Sequence, residues 1–440
     1  MENADSRAAP RAIVLTFDHL HPGFLGCYGN DWIETPNLDR LATESVVFDW
    51  HFCENLDVAA ANHAWWTGQY QFPLAEEQQH ASRTFLERLE AAGVRSRLIV
   101  EADDREESRV APRFGEVSIV RGIDGFEINE KDTPFARVVA ACEQLFKESS
   151  ASTSGPSLLW IKSRGIPAPW VPPRDFADLY LAEFGLADAP DDSDSTVPGE
   201  DQDDKPEESS TAPETSTGDD SLDWRYGAAM YAAYVTLVDR WVGKLLGAIA
   251  GAPGWNEALL IVTVGAGHVL GEHGRLDDAS VHLRGECLQT PLWLRLHGCD
   301  QAGTRRQALI RTTDLAPTLL AWFAVPVENR QAAAGPTGCD LLPLVRNEAD
   351  TCREFALMGI GRQEWGIRSP EFFYVEPGDS VPEDGRSSAQ LFEKPRDRWD
   401  QSDVCAQYPA ATEELRAKLL EAIRRISADR GSSFEKASSS

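Results

Sequence analysis

Ala12-Ile13-Val14-Leu15-Thr16-Phe17-Asp18 is the stretch on which the reading of this chain turns. It is a short apolar run closed by a carboxylate, the pattern of a buried strand that delivers one acidic side chain to the end of a sheet. Leu25-Gly26-Cys27-Tyr28-Gly29 follows, then Thr35-Pro36. A threonine before a proline reads as an N-cap with proline at the first helical position, so a helix is expected over 37–44. Further apolar runs of the same kind lie at 97–100, 157–161, 258–264 and 292–296. Amphipathic stretches separate them. The longest, 222–249, carries Tyr231, Tyr234, Val235, Val238, Trp241, Val242, Leu245 and Leu246 at helical spacing, with Ser221 as its cap and Gly251 and Pro253 as its stop. This alternation predicts an α/β fold: a central, mostly parallel sheet with helices on both faces.

The chain has 440 residues, 42% hydrophobic with 13 Trp, enough to bury a large core. Its net charge is −29. Residues 188–223 hold 14 Asp or Glu and one Lys, a net of −13 that leaves −16 for the rest. An acidic surface repels nucleic acid and anionic membranes, so neither is expected as a partner. The eight cysteines are scattered without a Cys-x-x-Cys pair, which argues against a zinc knuckle and for ordinary thiols. The N-terminal residues carry no apolar signal core, and no stretch reaches the ~18 apolar residues that span a bilayer. A cytoplasmic protein is the expectation.

Residues 187–221 are Asp, Glu, Ser, Thr and Pro with almost no large apolar side chain. Such a segment cannot bury enough surface to offset its ordering entropy, and is expected to be a disordered insertion in the α/β domain, 10–350. From 351 the pattern changes. Strands at 355–359, 365–368 and 372–376, then a charged helix over 413–426 with Leu415, Leu419, Leu420 and Ile423 inward, predict a small antiparallel C-terminal subdomain, 351–428. Residues 429–440 are expected to be a disordered tail.

Several spaced segments together resemble the sulfatase family of the alkaline-phosphatase-like superfamily. They are the run to Asp18, Leu25–Gly29, Thr35-Pro36-Asn37-Leu38-Asp39-Arg40-Leu41-Ala42, Phe48 and Thr67-Gly68. Further on come Leu270-Gly271-Glu272-His273-Gly274, Thr290-Pro291-Leu292, Asp314-Leu315-Ala316-Pro317-Thr318-Leu319-Leu320, and segments at 338–345 and 390–404. No single one is specific; their order over about 12–425 is. The resemblance implies an alkaline-phosphatase/sulfatase-like fold and sulfuric ester hydrolysis. That chemistry needs a formylglycine nucleophile, a divalent cation (usually calcium), and cationic groups that hold the sulfate and protonate the leaving oxygen.

The family's slots are occupied differently here. Counting back from Gly68 and forward from Phe48 both place the nucleophile at Val58, and valine has no nucleophilic atom. The Pro, Ser and Arg of the family's maturation motif fall on Ala60, Ala61 and Asn62. Asp18 matches the first metal ligand and His19 the next position. Gly265 and Ala266 fill the two later metal-side slots, and Pro167 stands at a family histidine. No lysine lies between Asp278 and His282. The reading is therefore a catalytically inactive pseudosulfatase with a binding, regulatory or scaffold role, and no cofactor. A sulfated-glycan-like ligand or an active sulfatase paralogue is the implied partner. The alternative is an active sulfate- or phosphate-ester hydrolase with a rewired metal site, drawing on Asp57, His63 and His268. Cys53 is an ordinary thiol, and Trp65 and Trp66 read as core packing.

Overall fold

The computed structural model describes residues 9–70, 72, 84–102, 114–123, 125–148, 155–166, 168–182, 220–271, 282–326, 338–380 and 388–437. The acidic segment, the Glu272–Gly274 part of one family loop, and Pro167 lie outside them, apart from the helical residues after 219. The strands in chain order are β1 Arg11–His19, β2 Val46–Phe48, β3 His51–Phe52, β4 Arg95–Glu101, β5 Glu116–Val120, β6 Ser157–Gly165, β7 Leu259–Ala266, β8 Leu292–Arg295, β9 Arg305–Arg306, β10 Ile310–Arg311, β11 Ala356–Ile360, β12 Glu364–Arg368, β13 Phe372–Pro377 and β14 Gln390–Glu393.

Eight strands form the main sheet in the order β5-β4-β6-β1-β7-β8-β2-β9. The five from β5 to β7 run parallel. The Thr290-Pro291 segment leads into β8, which turns antiparallel to β7, and β2 is antiparallel to β8. β1 sits at the centre and is buried from Ala12 to Asp18, which is why it reads as a continuous apolar run rather than an alternating one.

Successive β1 side chains serve opposite layers. Ile13, Leu15 and Phe17 pack against the long helix Asp220–Ala250 through Tyr231, Val235, Val238 and Val242. Ala12 and Val14 face the other layer, formed by the helices Val58–Thr67, Phe85–Ala91 and Leu315–Trp322. Trp65 and Trp66 are buried there beside Trp160 and Phe114, so both work as core.

The helix expected over 37–44 is Pro36–Thr43. Its cap is not Thr35, whose hydroxyl instead accepts from Gly26 N (2.9 Å) and donates to Asp39 (3.2 Å). Asp239 of the long helix supplies the cap from across the layer, accepting from Asn37 N at 3.1 Å and Leu38 N at 2.7 Å. Ser221 likewise lies inside its helix rather than before it.

Near the C-terminus β11-β12-β13-β14 form a separate antiparallel sheet. Met358, Phe373, Val375 and Phe392 on one face pack against Phe52, Cys53 and Leu288 of the main body. Leu357, Ile367, Tyr374 and Leu391 on the other meet Leu415, Leu419 and Ile423 of the last helix. That helix runs Pro409–Ala437, so its backbone continues through most of the residues expected as a tail.

Candidate functional site

The C-terminal ends of β4, β6, β1 and β7 lie side by side. They present Glu101, Lys162-Ser163-Arg164, Asp18-His19 and Gly265-Ala266. This is where an open α/β sheet places its chemistry.

Asp18 is buried, 4% exposed, and so is Lys162 at 0%. Lys162 pairs in register with Thr16, and Thr16 shares a sheet face with Asp18 two residues on. The lysine therefore projects along that face and its Nζ donates to Asp18 Oδ2 at 2.8 Å. Asp18 Oδ1 is buried and has no hydrogen-bond partner among the described residues.

His19 points to the opposite face, because neighbouring strand residues alternate. Its ring stacks on His268 at 4.5 Å between centroids. His268 is also bonded to the Ile166 carbonyl at 2.9 Å and meets Trp170 and Tyr231 edge-on. Burial depresses the His268 imidazole to about 3, and holds that of His19 below its ordinary value. The His268 imidazole is therefore neutral at physiological pH. Glu101 ends β4, its carboxylate taking Ser163 Oγ at 2.7 Å and Arg164 N at 3.1 Å. Burial pushes its carboxyl up to about 7.

Above the Asp18 face sits the helix Val58–Thr67. Asp57 is exposed and caps it, accepting from Ala60 N at 2.7 Å. Val58 is the first helical residue and half-buried; Asn62 and His63 are buried. Gly265 lets this helix close on the sheet. A Cβ at 265 would meet the Asp18 carbonyl at 3.0 Å, the Trp65 ring at 3.4 Å and Ala61 at 3.6 Å.

The structure thus brings Asp18, Ala61 and Gly265 together. It does not bring Asp57, His63 and His268 into one cluster. Asp57 is spent on a helix cap, and His268 lies with His19 toward the long helix. Among the described residues no group of three or more His, Cys, Asp or Glu side chains is arranged to hold a metal. Calcium takes 6–8 oxygen ligands. Here the carboxylate at its first slot is matched by an ammonium, and Gly265 and Ala266 bring no side-chain oxygen. The described residues do not fit a calcium ion.

Against known proteins, the Sulfatase family model matches residues 10–325. The chain belongs to the sulfatase family. Among curated sulfatases, N-acetylglucosamine-6-O-sulfatase of Bacteroides thetaiotaomicron is 26% identical over 175 residues, 37% of this chain and 30% of that enzyme. Human steryl-sulfatase is 39% identical over 83 residues, 18% of this chain and 14% of that protein. The matches therefore span a third or less of these relatives. Solved structures share the fold far more completely. BT4656, in complex with its substrate D-glucosamine-2-N,6-O-disulfate, superposes with a TM-score of 0.71 at 18% identity, covering 96% of this chain and 98% of its own. The phosphonate monoester hydrolase of Agrobacterium radiobacter gives 0.70 at 18%, covering 94% and 95%.

Within the sulfatase frame, Asp314 of the Asp-Leu-Ala-Pro-Thr-Leu-Leu segment is a structural anchor. Its carboxylate accepts from Arg311 N (2.7 Å), Cys339 N (2.8 Å) and Arg353 Nη1 (2.6 Å). Burial alone would raise its carboxyl, but Arg353 outweighs this and holds it below the ordinary value. No helix among the described residues is long and apolar enough to cross a membrane.

Lys162 is the functional residue that motif spacing missed. Its signal was present in Leu158-Leu159-Trp160-Ile161-Lys162, a lone cation inside an apolar strand, which must find a counter-charge if buried.

Proposed function

We propose that this chain is a catalytically inactive sulfatase-family protein that binds an oxyanion-bearing ligand rather than turning it over. The Lys162–Asp18 pair carries the reading. A divalent cation in a sulfatase site neutralises the carboxylates around it and polarises the ester. Here a covalently tethered ammonium neutralises Asp18, and it offers no open coordination position for an ester oxygen. Val58 supports the same conclusion, since its side chain can form no bond to sulfur. The half-buried His19 and the buried His268 stack on each other toward the long helix, on the other side of the sheet from the Lys162–Asp18 pair. A sulfated sugar is the ligand class favoured by the frame, being the substrate held by the disulfated glucosamine complex. The eight cysteines stand as free thiols, which fits a reducing compartment.

The test is hydrolysis of aryl sulfates and aryl phosphates by the full chain, with chelator and with calcium, magnesium, manganese or zinc. No turnover above the Asp18→Ala variant is expected. Losing one preorganised electrostatic donor costs about 10²–10³ in rate, and the nucleophile is missing as well. Metal-dependent hydrolysis that disappears in Asp18→Ala would overturn this reading and establish a rewired hydrolase.

A further inference from the structure

A second polar site lies away from Asp18, where the C-terminal sheet meets the main body. It is a cavity of about 290 Å³, near the lower end of small-molecule pockets. Trp50, Phe52, Met358 and Phe373 form its apolar walls, and four cations reach it: Arg305, Arg368, Lys394 and Arg398. In a chain of net charge −29 that is an unusual gathering.

Two of the cations are neutralised locally. Arg305 Nε bonds Asp49 at 2.9 Å, and Lys394 pairs with Asp400. The other two have no carboxylate within ion-pairing distance among the described residues. Arg398 is exposed and lies over the Trp399 ring at 4.4 Å. Arg368, at the end of β12, is 4% exposed. Its guanidinium lies 5.5 Å from the Trp50 ring and 5.8 Å from that of Phe52. Its one side-chain hydrogen bond among the described residues is a long one, 3.5 Å, to the Phe372 carbonyl. Burial brings the Arg368 guanidinium down to about 10, and the charges of Asp400 and Glu371 offset this only in part. A guanidinium is almost never fully buried without a paired anion. Its planar fork of donors matches tetrahedral and planar oxyanions alike, and its stacking on two aromatic rings holds that fork in one orientation.

We propose that this cavity binds an organic sulfate or phosphate ester with a ring-sized body, the oxyanion held by Arg368 and Arg398 and the ring lying on the walls formed by Trp50, Phe52, Met358 and Phe373. The site shares no residue with the Asp18 constellation, so the proposal stands or falls independently of the turnover assay.

Calorimetric titration of the full chain with phenyl sulfate and phenyl phosphate tests it, with phenol as the uncharged control. Saturable binding of at least one ester and none of phenol is expected, and the preferred ester separates sulfate from phosphate recognition. Arg368→Gln and Arg398→Ala should each weaken binding about tenfold or more, the scale of one charge-assisted hydrogen bond. Arg398 is exposed, so its variant keeps the test meaningful even if Arg368→Gln unfolds. Arg424→Ala, at an exposed cation of the last helix, should leave the Kd unchanged within about twofold. Binding of neither ester would overturn the proposal. So would binding that resists Arg398→Ala, which would place the ligand elsewhere.

Discussion

Replacing Lys162 with glutamine leaves Asp18 buried with its one hydrogen-bonded cation removed. At 2.8 Å the pair's attraction is about 6 kcal/mol at an effective dielectric of about 20, set against the desolvation of two ions. The net worth of the pair is small, but breaking it is not. Asp18 Oδ1 has no other partner among the described residues, so the carboxylate is stranded. A loss of about 3–5 kcal/mol is expected for Lys162→Gln. Asp18→Asn removes the carboxylate to which Lys162 Nζ donates and should also lower stability. In Asp18→Asn/Lys162→Gln both charges are gone and the amides can bond each other. The double variant should then be more stable than the summed single losses by about 2 kcal/mol or more. Urea unfolding of the four proteins at neutral pH, followed by tryptophan fluorescence, measures the cycle. A cost below about 1 kcal/mol for Lys162→Gln, with additive singles, would refute the reasoning. The pair would then be behaving as a solvated surface contact.

His268 predicts an acid-sensitive stability. Its folded value, about 3, lies below the unfolded 6.5, so the unfolded state binds more protons between them and stability is lost as pH falls through that window. The group should cost the wild type about 2 kcal/mol between about pH 8 and about pH 5. His268→Gln lacks that slope, and a pH-independent difference between the two chains would show the imidazole to be solvated. Asp239→Ala removes the cap that the long helix lends to Pro36–Thr43 and should lower stability by about 1–2 kcal/mol in thermal or urea unfolding. No loss would mean water satisfies those N–H groups equally well.

The sequence revealed the strands that are buried on both faces. β1, β4, β6 and β7 each carry enough consecutive apolar residues to read alone, and the C-terminal strands β11 to β13 alternate against two covers. β5 stayed hidden because an edge strand of Glu, Val, Ser and Ile is half-solvated and carries no clear pattern. β2, β3, β9 and β10 are two or three residues long, too short for any periodicity. The reversal at β8 was equally invisible, since direction is set by the connection and not by composition. At the site, Asp18 and Gly265 were legible because motif spacing fixes register. Asp239 was not, because a cap borrowed from a residue some two hundred positions away leaves no local trace. Lys162 carries its own lesson: a cation embedded in an apolar strand marks a partner elsewhere in space, and only the fold says that it is Asp18.

Gly265 constrains what this molecule can become. The missing Cβ is the clearance through which Trp65 and Ala61 settle onto the sheet beside Asp18. An aspartate there would begin with a Cβ pressed against the Asp18 carbonyl and would carry a second carboxylate toward a site balanced by a single ammonium. Restoring an acidic ligand is thus a steric and an electrostatic change at once. The Asp18 backbone must give way, and Lys162 must leave for a metal to enter, yet either step alone lowers stability before any metal is gained. The close fit acts as a ratchet on mutation: single substitutions lead away from a metal centre, and the way back requires several residues to change together.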